Sequence, residues 1–243
     1  MTCQLKALAL ALFLLPSTLW ANFEVRWQTP QSGSEELYAG ALRDSNIVKD
    51  AFKLGKRPFK WPATLTFMMG GSGTPRYDPT NATITIPYSY LAEAVQGQSH
   101  FEESRATALQ RGLDVVEYTL YHLLGHALLD SHDVDQDETA ESLATWLMVT
   151  STSNGGEQWL EDVEAFSRAS QKLDGPLEDY WHSHGLSKRS MQRLNCLVVG
   201  SGPTLYLQRF PGLVESPAQT AACETQWQTL RAMVQQEYTR AQP

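Results

Sequence analysis

The chain has 243 residues, of which 42% are hydrophobic, and a formal net charge of -8 from 19 basic and 27 acidic residues. That length holds one domain or two small ones, and the apolar content supports a packed core, which excludes disorder as the dominant state. The acidic balance repels phosphate backbones and excludes general nucleic-acid binding.

In chain order, the first segment reads as an export signal. Lys6 is the only charged side chain before Glu24, and the apolar run Ala7 to Leu15 is broken by Pro16, Ser17 and Thr18. The run is too short to span a bilayer as a stable helix, and Ala21 offers a small residue for cleavage. A signal peptide over residues 1–21 and a mature domain over 22–243 are therefore expected, in the periplasm or outside the cell; the alternative is an uncleaved anchor. No later apolar segment is long enough for a stable membrane span. Removal of the leader leaves Cys196 and Cys223, and an oxidising compartment predicts a disulfide between them. Two buried thiols packed as small hydrophobes are the competing reading.

Phe23 to Trp27 alternates as a short strand. The stretch 34–53 has a broken helical period, and Pro58 and Pro62 close it. Thr64 to Met69 predicts a strand stopped by Gly70, Gly71 and Gly73, and Asp78 to Asn81 a turn. Ala82 to Pro87 is the clearest strand, and antiparallel pairing with 64–69 is its natural partner choice. Helices are expected at 88–96, 104–131, 137–152, 157–173, 187–199 and 219–239. The fold class is α+β: a small antiparallel sheet followed by a mainly helical body.

The spacing of His122 and His126, four residues apart on the expected helix, places two imidazoles one turn apart on one face. Both can then reach one tetrahedral zinc ion. They lie roughly opposite the apolar stripe Leu109, Leu113, Val116, Leu120, Leu124 and Ala127, so they face a cleft or solvent. Two solvated histidines are the plainer reading. Gly125 costs roughly 1 kcal/mol inside a helix relative to alanine and suggests that another element passes close by. The next segment supplies carboxylates at Asp133, Asp135, Asp137, Glu138 and Glu141. Asp137 and Glu141 flank the apolar stripe of their helix, which suits a metal ligand or a pair, whereas acids in a first turn also simply favour the helix dipole. Asp130 either hydrogen-bonds a ring N–H or lies in solvent. His182 and His184, beside Tyr180 and Trp181, read as a packing corner or an oxyanion-stabilising site. His100 and His132 carry no special signal.

Tyr121 to Asp130 (YHLLGHALLD), followed by Asp137 to Ala144 (DETAESLA), resembles a bacterial metallopeptidase family catalogued as domain of unknown function 4344. In that family the zinc helix reads HExGHALxD and an acidic helix follows. Tyr77-Asp78-Pro79 with the strand Ala82 to Tyr88, and Tyr180 to Gly202, resemble two further stretches of the family, and Cys223 stands where a later cysteine is expected. The resemblance covers nearly all of the expected mature chain. It implies a zincin-like fold, one zinc ion, His122 and His126 as ligands, Asp137 as the third ligand with Glu138 as its rival, and Glu141 as the supporting acid.

The departures bear on activity. Leu123 occupies the family's general-base position, and leucine neither polarises a water nor carries its proton. That loss is worth about 10²–10⁴-fold in rate. The resemblance also implies cysteines near Gly70 and Pro87, both absent here, as if one disulfide had been lost as a unit. Three functions stay open: a zinc hydrolase with a displaced base, Glu138 or Glu141; a non-catalytic descendant that binds zinc, a peptide or a protein partner in the old cleft; and a structural envelope protein with no metal.

Overall fold

The computed structural model describes residues 21–71, 73–99, 104–130, 136–151, 160, 188–209, 212–214 and 216–239. The helix expected at 157–173 and the corner from Tyr180 to His184 lie outside these residues, apart from the buried Leu160.

Strand β1 (Asn22–Trp27) leads into two helices, α1 (Gly33–Asp44) and α2 (Ile47–Gly55). The broken period over 34–53 is a real interruption. Ser45 N–H still donates to Ala41 O at 3.0 Å, and a new helix then starts at Ile47. Strands β2 (Thr64–Met69), β3 (Arg76–Asp78) and β4 (Thr83–Ile86) complete a four-stranded sheet in the order β1-β2-β4-β3.

The small sheet before a helical body is as expected, but its strand directions need a correction. β2 pairs with β4 in parallel, and β1 with β2 in parallel; only β3 and β4 are antiparallel. The cause is β3, a three-residue strand that the pattern Arg-Tyr-Asp does not betray. The chain leaves β2 through Gly70, Gly71 and Gly73, all at positive φ, and runs back along the far edge as β3. It then turns again at Asp78, whose side chain accepts from Thr80 N–H at 2.9 Å, and inserts β4 between β2 and β3. Two reversals restore the direction of β2. Positions 70 and 87 lie side by side, since Gly70 N–H donates to Ile86 O at 2.8 Å.

Apolar alternation does its expected work within the strands. Leu65, Phe67, Met69, Ile84 and Ile86 are all fully buried. Phe23 on β1 meets Phe52 on α2, Trp61 and Phe67 edge-on, and Phe52 meets Phe67 tilted, which fixes α2 against the start of the sheet.

The helical body follows: α3 (Tyr88–Ser99), α4 (Arg105–Leu129), α5 (Asp137–Ser151), α6 (Lys188–Ser201), α7 (Pro203–Arg209) and α8 (Pro217–Met233), ending in a π-helical turn, Val234–Tyr238. Ser104 caps α4 by accepting from Thr107 N–H, as its residue type favours. Lys60 N–H donates to Tyr238 O at 2.8 Å, so the end of the described chain is tied to the segment before β2. Among the described residues no helix is long and apolar enough to cross a membrane.

Candidate metal centre

Helix α4 carries the histidines into the interior. Its C-terminal half is buried on nearly every side, because β3 and β4, α3 and α5 pack around it. His122 is 3% exposed and His126 0%, so the pair is buried, against the N-terminal turn of α5. The reading as two solvated histidines is thereby excluded.

Gly125 makes this possible. A Cβ built there would lie 2.4 Å from the backbone oxygen of Ala140 on α5. The two helices therefore cross with backbone against backbone, as a glycine in mid-helix suggests. The crossing brings Asp137, the first residue of α5, onto the histidine face.

The rings of His122 and His126 are nearly perpendicular, at 84°, and their Nε2 atoms come within 3.2 Å. Asp137 Oδ1 lies 3.0 Å from His126 Nε2. At that distance Oδ1 nonetheless has no hydrogen-bond partner among the described residues. Three potential ligand atoms on buried side chains thus lie within 4.8 Å of one another. Ligand atoms of a tetrahedral zinc ion at 2.0–2.1 Å sit about 3.3 Å apart. The observed spacings of 3.2 and 3.0 Å are close to that edge length. The residues present therefore fit a small divalent cation, and the chemistry of two imidazoles with one carboxylate suits zinc.

Glu141, one turn beyond Asp137, is 4% exposed, and its Oε1 has no hydrogen-bond partner. Burial pushes its carboxyl up to about 8, outweighing the opposing pull of the Arg193 guanidinium and a Ser190 hydrogen bond. Glu138 points outward and pairs with Arg193 at 2.9 Å, so it is not grouped with the histidines. Asp130 does not reach an imidazole. It terminates α4 in the left-handed conformation, at φ 50°, and its Oδ1 accepts from the Tyr77 hydroxyl at 3.2 Å. Burial, together with the Asp130 carboxylate, raises the Tyr77 hydroxyl well above its usual range. Leu123 is wholly buried in the core.

Cys196 on α6 and Cys223 on α8 form the expected disulfide. Sequence reasoning missed Ser190 and Arg193. Nothing in their local pattern marks them, because their partners on α5 lie about fifty residues upstream in the chain.

Residues 27–236 match the protein family described as domain of unknown function 4344, "Putative metallopeptidase". The chain belongs to this family. No curated protein and no solved structure matches it. A metallopeptidase-like family is compatible with the buried His122, His126 and Asp137 group, which could hold a metal ion.

Proposed function

We propose that this chain is an exported member of the metallopeptidase-like family that holds one zinc ion on His122, His126 and Asp137, with peptide hydrolysis impaired by Leu123. The observation that carries this reading is the convergence of two Nε2 atoms and one carboxylate oxygen in a buried site whose general-base position is a leucine. The chemistry a zinc ion supplies when bound is Lewis acidity toward an oxygen atom.

The chain's own residues divide the remaining work. His122 and His126 offer ring nitrogens held one turn apart by α4, and Asp137 offers a carboxylate oxygen from the first turn of α5. Glu141 lies buried beside Asp137 as the supporting acid. Leu123 cannot accept or return a proton. Glu138 is engaged with Arg193, which weakens its claim as a displaced base. The disulfide is compatible with a compartment outside the cytoplasm, where a signal over residues 1–21 would send the chain. A second reading, a non-catalytic zinc- or partner-binding protein, is favoured by the complete burial of Leu123, which treats the position as core.

The test is Leu123→Glu, with Leu123→Gln as control, assayed on an unstructured protein substrate after zinc loading. The glutamate variant should raise hydrolysis by about 10²–10⁴-fold over the wild type. A zinc-loaded, folded Leu123→Glu variant with no gain, or a wild type as active as the variant, would overturn the proposed impairment.

A further inference from the structure

We propose that Arg193 is the positioning residue of the metal centre: by gripping Glu138 and Glu141 it fixes the rotation of α5 that presents Asp137 to the histidines. The role rests on the reading of His122, His126 and Asp137 as ligands.

Three acids occupy the start of α5, and only one belongs to the metal group. Residues 137 and 141 share a helix face, whereas 138 lies about 100° from 137 around the axis. A modest roll of α5 about its axis would carry Asp137 away from His126 and bring Glu138 nearer. Arg193 opposes such a roll from outside. Its Nη2 lies 2.9 Å from Glu138 Oε1, and its Nη1 lies 3.9 Å from Glu141 Oε2. One planar guanidinium thus bridges two acids one turn apart on α5, a geometry that a point-charge ammonium reproduces only in part. The Arg193 side chain is 19% exposed and that of Glu141 5%, so their contact is shielded from solvent, whereas Glu138, 62% exposed, pairs with Arg193 as a screened surface bridge.

Helix α6 is built to hold Arg193 still. Ser190, buried and one turn before it, hydrogen-bonds Glu141. Cys196, one turn after it, is covalently joined to α8. A Cβ at Gly200 would lie 2.2 Å from Cys223 O, so α6 and α8 also touch through their backbones. One side of α6 is anchored to α8, while Ser190 and Arg193 reach α5. Loss of a partner that orients ligands from outside the coordination sphere typically costs about 10–100-fold in metal affinity.

The experiment loads the full chain with Co²⁺ as the probe. It compares wild type, Arg193→Met and Arg193→Lys by competitive Kd, by visible ligand-field spectrum, and by metal-free Tm. Arg193→Met should bind Co²⁺ about 10–100-fold more weakly with an altered spectrum, and Arg193→Lys should recover much of both. A merely structural role predicts a lower Tm with Kd and spectrum unchanged, and that result overturns the proposal. Should Arg193→Met fail to fold, Arg193→Gln carries the same prediction, and wild-type affinity in it is equally fatal. Failure of the wild type itself to bind Co²⁺ overturns the ligand reading, and the role of Arg193 with it.

Discussion

Replacing Gly125 with alanine probes the helix crossing on which the site depends. The new Cβ would meet Ala140 O at 2.4 Å and Ala140 C and Cα at 3.0 Å. Ordinary contact begins near 3.4 Å, so α5 must retreat by about 1 Å, and the obstructing atoms are backbone that cannot rotate away. Overpacking of this kind costs roughly 1–3 kcal/mol. The helix-propensity gain of alanine over glycine returns up to about 1 kcal/mol. The net loss of stability is therefore about 0–3 kcal/mol, small enough for the variant to fold. Metal geometry is far less forgiving, since ligand distances hold to about 0.2 Å. A retreat of about 1 Å separates Asp137 from His126, and zinc affinity should fall by well over about tenfold. Gly40→Ala is the control, because a Cβ there meets nothing within 4 Å. It should stabilise by up to about 1 kcal/mol and leave zinc affinity untouched. Urea unfolding and competitive zinc titration of both variants decide the matter. Wild-type affinity in Gly125→Ala would refute the link between helix approach and ligand placement.

Other outcomes follow from the same structure. Asp137→Ala should lower zinc affinity by more than the roughly 10–100-fold typical of outer-shell losses, and Glu138→Ala, which removes only a partner of Arg193, by no more than that range; the reverse order would make Glu138 the ligand. The Cys196–Cys223 link joins residues 27 apart, so Cys196→Ser with Cys223→Ser should destabilise the chain by about 3–4 kcal/mol in denaturant melts under oxidising conditions. A loss near zero would mean that the α6–α8 contact alone holds these helices together. Burial, with the Asp50 carboxylate nearby, pushes the Glu117 carboxyl up to about 7. The folded state then keeps a proton that the unfolded state releases, so this group's contribution falls as pH rises from about 4.5 to 7 and is flat above. Glu117 is only partly buried, which discounts the effect to about 1–2 kcal/mol. Glu117→Gln should therefore stabilise the chain at pH 8 but not at pH 4, and equal effects at both would contradict the shift.

Much of this architecture was legible because local chemistry and tertiary need coincide. Ser104 as a cap, the glycines after β2 and the alternation of Thr-Ile-Thr-Ile announce their elements directly. Gly125 is the most informative single residue, since only a close neighbour justifies it. The histidine pair was readable as a pair, but its burial was not: the apolar stripe of α4 describes one face, and α5 and the sheet cover the rest. Parallel pairing of β2 with β4 was hidden because it depends on β3, whose three residues carry no periodic signal. Asp130 looked available to an imidazole by spacing, yet ending a helix in the left-handed conformation turns its side chain toward Tyr77. Arg193 was invisible for the most general reason: a tertiary ion pair leaves no mark at either end of the sequence.

Metal content tests most directly whether His122, His126 and Asp137 hold a metal ion. The full chain, purified without a metal-binding tag and offered zinc at neutral pH, should carry close to one zinc ion per chain by elemental analysis. His122→Ala should carry almost none. A wild-type chain without zinc, or a His122→Ala variant that retains it, would contradict the account.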